Sequence, residues 1–343
     1  MPHGPSTPLA DSAMGSQSCV TADSKAVGKM GLALFALMCE QMPSARVTLI
    51  SPLSVASALA VALSGATAGD ETMRELTQLL GAGPAAVAEM SQAILAAGAE
   101  GTGVSLDVAN SVWAKGSIKP EFVELAHRVH RAQAFPMPTA TYGPVNDWVA
   151  AATAGRIRTL LEGVPDPLLV ALLVNTVLFK GSWAAQFDPK LTRPGLFRPG
   201  EGDAPPLDAH FMSRKAKLAA SESVAALGGA GVVRLDYGVA DGPFCALFVL
   251  PPQPGEAALA ATVARLSTAD LNSVVAQDLR EQETAVFLPR FRAESEPVSL
   301  VPPLRGLGLR AVFDGQGGFL AMSDDPLVYV ADVLHKVVLE VNI

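Results

Sequence analysis

The chain has 343 residues, of which half are hydrophobic and 17% are charged. This composition excludes a disordered chain, in which few apolar residues and high charge go together. The formal net charge of −8 disfavours nucleic acid and anionic membranes as partners, because both are bound through basic surfaces.

The N-terminal part predicts a flexible leader followed by helices. Residues 1–24 are small, polar and interrupted by Pro and Gly, which is typical of a loose leader. The apolar stretch Met30–Cys39 is too short to span a bilayer and predicts a helix packed in the core. Ser51 is suited to cap a helix that starts at Pro52, and a second helix is expected over Asp70–Gly81.

The middle of the chain contains the first predicted strands. Val104–Trp113 alternates apolar and polar residues, as a half-buried strand does. Helices are expected over Pro120–Arg131 and Pro144–Leu161. The run Leu168–Phe179 is almost continuously apolar and rich in β-branched residues, which predicts a central strand buried on both faces.

The second half is predicted to be mostly β. Strands are expected over Phe244–Leu250, Ala285–Phe291 and Leu327–Ile343, with a helical piece over Leu300–Leu309 between the last two. Helices come first and strands later, without regular βα alternation. This order favours an α+β fold over a doubly wound one.

Catalytic, metal and cofactor signatures are weak. Gly306-Leu-Gly308 fits part of a dinucleotide-binding pattern, but Pro-Pro rather than a strand precedes it, which favours a turn that closes a short helix. His127 and His130 could share a helix face, but no third metal ligand accompanies them. The three cysteines, Cys19, Cys39 and Cys245, are interpreted as buried small hydrophobes. The sequence therefore predicts no enzyme, no metal and no cofactor.

Two polar residues stand out on apolar strand faces. His335 shares a face with Val333 and Val337, and Asn175 shares a face with Leu173 and other apolar residues. A buried polar group is costly unless it is hydrogen-bonded. The pattern is compatible with a satisfied core histidine and with a buried polar cluster that ties two strands of one sheet. Alternation alone does not separate the two.

Several blocks of the chain resemble the serpin family, in the family's order. They extend from about residue 28 to residue 342. The blocks are Ile50-Ser-Pro-Leu-Ser54, Asn146-Asp-Trp-Val149 with Thr153-x-Gly-Arg-Ile157, Leu173-Val-Asn175, Phe179-Lys-Gly-Ser-Trp183 with Phe187, Leu288-Pro-Arg-Phe291, Leu307-Gly308, Ala311-Val-Phe313 and Val333-Leu-His-Lys336.

The resemblance implies a single serpin-like domain over residues 25–343, with a large mixed sheet, smaller sheets and many helices. It also implies inhibition of serine or cysteine proteases by a suicide mechanism, in which a cleaved reactive loop inserts into the large sheet. The sheet would part between the strand that ends near Phe179 and the strand over Leu327–Ile343. By resemblance, Ser51, Ser54, Asn175 and His335 form the polar cluster beneath that parting, and Trp183 is the aromatic residue at the top, where insertion begins.

One departure from the family pattern concerns the end of the printed sequence. Family members continue after Glu340-Val-Asn342 with a Glu- and Gly-containing hinge, the reactive loop and further core strands, whereas this sequence ends at Ile343. The interpretations left open are a truncated product, a missing second segment, or a chain with another use. We expect the 343-residue polypeptide by itself to form no SDS-stable protease complex, and to expose strand edges that favour aggregation or pairing with another chain.

The alternative function is that of a non-inhibitory serpin-like carrier or interaction protein, because the hinge that would distinguish the two is not in the sequence. The cellular location is also left open between two interpretations. No signal peptide and no Asn-x-Ser/Thr acceptor is evident, which favours the cytoplasm, whereas the family resemblance makes an extracellular location the common expectation.

Overall fold

The structure is a computed structural model that describes residues 22–42, 48–98, 103–166, 170–197, 206–314 and 318–341. Short helical turns lie between several of the main elements. The helices of the described residues are α1 (Ala22–Gln41), α2 (Pro52–Gly65), α3 (Glu71–Leu80), α4 (Pro84–Ala97), α5 (Pro120–His130), α6 (Gly143–Ala152), α7 (Glu256–Leu266), α8 (Leu271–Ser273) and α9 (Val301–Gly306). The strands are β1 (Val104–Ala114), β2 (Gln133–Pro136), β3 (Ala171–Gly181), β4 (Arg193–Phe197), β5 (Leu207–Val224), β6 (Ala230–Asp236), β7 (Cys245–Leu250), β8 (Arg280–Pro289), β9 (Phe291–Glu294), β10 (Val298–Ser299) and β11 (Val330–Val341).

The strands form two sheets. The larger sheet has the order β10-β11-β3-β1-β2, and β9 pairs with β11 on the same side as β10. Within it β11 and β3 are parallel, β3 and β1 are antiparallel, and β1 and β2 are parallel. The smaller sheet has the order β4-β5-β6-β7, and β8 pairs with β5. The mixture of helices with two sheets confirms the expected α+β class.

Helix α2 lies in the core against one face of the larger sheet. Its residues from Ser54 to Leu63 are all buried, so this helix has no solvent-facing side over more than two turns. Small side chains let it approach its neighbours closely. At the crossing with α1, a Cβ on Gly31 would lie 2.2 Å from the ring of Pro52, so glycine is required there. The start of α2 is thereby fixed beneath the sheet.

Helix α6 covers the opposite face of the same sheet. Its buried Val145 and Val149 pack in one cluster with Leu172, Val174 and Leu334 of the two central strands. The helix is shorter than the expected Pro144–Leu161. It ends at Ala152, because the next residues form a tight turn in which Ala154 and Gly155 have left-handed φ angles of 49° and 73°.

Other boundaries also differ from the sequence-based expectations. The first helix begins at Ala22, inside the segment interpreted as a leader, and residues 1–21 lie outside the described residues. The last strand begins at Val330 rather than Leu327, and the end of the expected strand at 342–343 also lies outside them. The piece expected over Leu300–Leu309 is the six-residue helix α9, followed by a turn at Leu307 and Gly308.

The interpretation of the cysteines as buried is wrong for the two that the structure describes. Cys245 is exposed at the start of β7, and Cys39 is partly buried. Both are free thiols, and partial burial raises the pKa of Cys39 above its usual value. Cys245 is exposed because β7 lies at the end of the smaller sheet. Cys19 lies outside the described residues.

Among the residues that the structure describes, one stretch, Glu71–Ala97, is long and apolar enough by length and composition to cross a membrane. The structure divides this stretch into α3 and α4. Gly81 ends α3 in a left-handed conformation, and Pro84 begins α4. Neither helix reaches the roughly 20 residues that a span requires.

Candidate functional site

The four polar residues singled out in the sequence meet between α2 and the larger sheet. Ser51 caps α2, and Ser54 lies in its first turn. Asn175 and His335 occupy directly opposite positions in the parallel register of β3 and β11. Asn175 and His335 are 1% and 0% exposed, so these two residues are inaccessible to solvent. We call the boundary between β3 and β11 the seam.

The hydrogen bonds of His335 define its protonation state. The backbone N–H of Ser51 donates to His335 Nε2 at 3.2 Å, so Nε2 carries no proton. The proton of the neutral ring is therefore on Nδ1, which lies 3.3 Å from Asn175 Oδ1 and donates to it. Burial lowers the pKa of His335 to about 4, which keeps the ring neutral at physiological pH.

Asn175 uses its full hydrogen-bonding capacity. Its Oδ1 accepts from the Ser54 hydroxyl and from His335 Nδ1. Its Nδ2 donates to the backbone carbonyl of Ser54 at 3.0 Å and to Asn110 Oδ1 at 2.5 Å. A buried amide with every donor and acceptor engaged adds no unpaired polar atom to the core.

Asn110 is a member of the site that sequence reasoning missed. It is 6% exposed and is the register partner of Asn175 across β1 and β3. The signal was present, because Asn110 lies on the same face of its strand as Val108 and Val112. The cluster therefore extends over three neighbouring strands, β11, β3 and β1.

The network ties both sides of the seam to one helix end. His335 of β11 is bound to Ser51, whereas Asn175 of β3 is bound to Ser54. Within this cluster, the contact between His335 Nδ1 and Asn175 Oδ1 crosses the seam directly, in addition to the backbone ladder between β3 and β11. Because α2 is fixed in the core, moving the two strands apart must break the hydrogen bonds of at least one of them.

Trp183 lies just beyond the end of β3, away from the polar cluster. It is 5% exposed and stacks on Tyr237, with ring centroids 4.4 Å apart and an interplanar angle of 13°. An isolated β-bridge joins the same two residues, and the ring of Phe187 packs edge-on at 6.2 Å. Burial raises the pKa of Tyr237 to about 12. Trp183 thus connects the end of β3 to the smaller sheet.

The arrangement is not that of a nucleophilic catalyst. The Ser54 hydroxyl donates to an amide oxygen, and His335 accepts from a backbone N–H rather than from a hydroxyl. Among the described residues no group of three or more His, Cys, Asp or Glu could hold a metal ion. His130 instead makes a 2.8 Å hydrogen bond with Ser64. What the cluster can do is hold two parallel strands in register.

Comparisons with known proteins agree with this architecture. A sequence profile described as "Serpin (serine protease inhibitor)" matches residues 25–343. Serpin B8 of Homo sapiens is 30% identical over 331 residues, which cover 93% of this chain and 85% of the relative.

Solved structures show the same fold. Native protease nexin-1 with heparin superposes with a TM-score of 0.78 at 22% identity, covering 94% of this chain and 90% of that one. Human thyroxine-binding globulin, complexed with thyroxine, gives a TM-score of 0.77 at 18% identity, covering 93% and 85% of the two chains. On the profile match and the similarity to Serpin B8, this chain is a member of the serpin family.

Proposed function

We propose that this chain forms the body of a serine protease inhibitor and that its larger sheet opens at the seam to accept an additional strand. The proposal is carried by one observation: β3 and β11 are parallel neighbours in the middle of the sheet, joined by a buried polar cluster. Serine proteases are the partner class because the family description names them.

The register explains why a strand would be accepted at this place. A strand that enters between two parallel neighbours can run antiparallel to both. It would replace one parallel ladder, from Val330 and Ala171 to Leu339 and Phe179, with two antiparallel ladders. Antiparallel pairing is slightly more stable per residue than parallel pairing, and the number of ladders increases by one. Acceptance of a strand is therefore favourable once the seam has opened.

The polar cluster sets the barrier to that opening. Its side chains are buried and bonded to Ser51 and Ser54, so separation of the strands exposes unsatisfied polar groups until a new strand is in place. We propose that Ser51, Ser54, Asn175 and His335 keep the sheet closed in this way. Trp183, at the end of β3, marks the end of the seam where a strand would enter.

A synthetic strand tests the proposal on the chain itself. A 12-residue peptide of alternating Thr and Ala is incubated with the protein, and complex formation and thermal unfolding are measured. We expect a one-to-one complex whose Tm is higher by about 5 °C or more, because a ligand bound only to the folded state stabilises it. The same peptide with Pro at alternate positions should not bind, since Pro cannot complete a ladder.

A disulfide across the seam provides the matched control. Val174 and Leu334 are register partners, and neighbouring strands lie about 4.8 Å apart, within the range for a disulfide. The double variant Val174→Cys/Leu334→Cys should not bind the peptide when oxidised, because the disulfide holds the two strands together, and should bind it when reduced. If the peptide binds neither the parent chain nor the double variant, oxidised or reduced, the result would contradict the inhibitory proposal and favour a non-inhibitory carrier. Binding that the disulfide does not affect would place the peptide elsewhere.

A further inference from the structure

A second site lies on the other face of the larger sheet, away from the seam. A cavity of about 190 Å³ opens between α6, the middle of β1 and the turn that connects α5 to β2. Three of its eight lining residues are alanines, Ala109 of β1 and Ala151 and Ala152 of α6. These alanines leave space that larger residues would fill. The flat side of the cavity is provided by Trp148.

The size of the cavity limits what it can hold. Drug-sized ligands occupy pockets of roughly 300 Å³ or more, whereas a cavity of about 150 Å³ is sufficient for benzene. A volume of about 190 Å³ therefore fits one or two fused rings. The indole of Trp148 offers an aromatic face against which such a ring can stack.

The polar groups at the cavity are donors. Arg131 lines it, and no ion pair of this guanidinium occurs in the described part of the chain. Trp148 Nε1 donates to Gln133 Oε1 at 2.5 Å, which leaves the Gln133 Nε2 amide as a second donor. No Asp or Glu is among the lining residues. The cavity thus combines one unneutralised cation with apolar walls.

The edge of β1 adds a backbone donor. Strand β2 begins opposite Ser111, so Val108, Ala109 and Asn110 have no partner strand on that side among the described residues. In the antiparallel pair with β3, alternate residues direct both backbone groups away from the partner strand. At least one of these three residues therefore presents an N–H and a C=O towards the cavity edge.

The conformation of Arg131 places its side chain at this site. It follows the last residue of α5 with a left-handed φ of 51°, which is unfavourable for an arginine. Its backbone N–H is bonded to Ala126 and His127 carbonyls and closes the helix. Asn adopts this conformation more readily than Arg does, so the substitution Arg131→Asn removes the charge without straining the turn.

We propose that this cavity binds a small aromatic carboxylate, with the carboxylate on Arg131 and the ring against Trp148. Arginine binds carboxylates with two parallel hydrogen bonds, and the Gln133 amide and the strand edge supply further donors. This inference does not depend on the proposed inhibitory function. Because the ligand would contact α6, β1 and the turn after α5 together, its binding should also raise the thermal stability of the chain.

The test is calorimetric titration of the full chain with 1-naphthoate, with 1-naphthylmethylammonium as the oppositely charged probe. We expect saturable one-to-one binding of the carboxylate and none of the ammonium. Arg131→Asn should weaken binding at least tenfold, and Ala151→Leu, which fills the cavity from an exposed helix position, should abolish it. Arg128→Asn, which removes a charge from α5 outside the cavity lining, should leave the affinity unchanged.

Three results would overturn the proposal: no saturable binding of 1-naphthoate, equal binding of the ammonium, or binding that both cavity variants leave intact. A rise in Tm with 1-naphthoate that Ala151→Leu removes supports the same site independently. If Arg131→Asn fails to fold, Ala151→Leu decides the question, because residue 151 is exposed and tolerates a larger side chain.

Discussion

At the residue scale, the buried network between α2 and the seam is a cooperative unit. We predict that His335→Ala and Asn175→Ala each lower the free energy of unfolding by about 1–3 kcal/mol, because each leaves buried partners unsatisfied. The double variant should lose less than the sum of the two by at least about 0.5 kcal/mol. Urea denaturation of the four proteins measures this coupling.

The control for that cycle pairs His335→Ala with His130→Ala. His130 bonds Ser64 at the far end of α2, roughly 20 Å from Ser51 at the helical rise of 1.5 Å per residue. The two effects should add within about 0.5 kcal/mol. An additive result for Asn175 and His335 as well would mean that the contact across the seam contributes nothing.

The histidine also makes stability depend on pH. Burial lowers the pKa of His335 to about 4 from an ordinary value of 6.5, so between these values the unfolded chain binds more protons than the folded one. The contribution is complete above pH 6.5 and is lost as the pH falls towards 4. From this group we predict a loss of about 2 kcal/mol between pH 7.5 and pH 5.0.

His335→Gln identifies the source of this acid sensitivity. Denaturation at the two pH values should show a clearly smaller loss in His335→Gln than in the parent chain. His130, whose pKa is also lowered to about 4 by burial, acts in the same direction, and His130→Gln should preserve the part that comes from His335. An unchanged acid dependence in His335→Gln would show that the neutral ring is not required for folding.

The sequence predicts those parts of this site that depend on neighbouring residues of one strand, and not those that depend on tertiary packing. Strand alternation identifies Asn175 and His335 as polar residues on apolar faces, because alternation is local. Their contact with Ser51 and Ser54 depends on where α2 packs against the sheet, which no local sequence pattern predicts. That part came from the resemblance to the family. Asn110 was missed although it lies between Val108 and Val112 on the apolar face of a correctly predicted strand.

At the scale of the element, a helix or strand is predicted correctly where its residues share the same degree of burial along the whole segment. The apolar run of β3 and the capped start of α2 are of this kind. Strand β5 was not predicted from the sequence. Its 18 residues mix charged and apolar positions, because the strand pairs with β4, β8 and β6 in turn along its length. Helix α6 was predicted to extend to Leu161, which is too long because the prediction passed over the helix-ending signal of Gly155.

The break between α3 and α4 offers a test at this scale. Gly81 ends α3 with φ 68°, and an added Cβ would lie 2.7 Å from the Cβ of Ala26. We predict that Gly81→Ala lowers the free energy of unfolding by at least about 1–2 kcal/mol, because both the backbone conformation and the contact with α1 are disfavoured. Thermal and urea denaturation measure the loss.

Gly83→Ala is the matched control two residues later. Its φ of −73° suits any residue, and nothing lies within 4 Å of an added Cβ. This change should alter stability by less than about 1 kcal/mol, because the gain from restricting the unfolded chain is opposed by the preference for Gly over Ala at the N-cap of α4. Equal losses at the two glycines would show that the left-handed turn is not what separates the helices.

At the scale of the whole molecule, the larger sheet is covered on both faces, whereas among the described residues the smaller sheet has an unpaired edge at β7. Helix α2 covers one face of the larger sheet and α6 covers the other. In the part of the chain that the structure describes, β7 pairs only with β6. Its last residue, Leu250, is 73% exposed.

The open edge of β7 should promote self-association. Unpaired backbone groups beside an exposed apolar side chain are a template for pairing with another chain. We predict concentration-dependent association in sedimentation velocity, reduced by Leu250→Lys, because a charge at an edge strand opposes pairing between copies. Leu259→Lys on α7 removes a comparable apolar side chain, 51% exposed, away from the strand edge. Association that falls equally in both variants would assign it to general surface hydrophobicity, and a monomer at all concentrations would refute the edge as an interface.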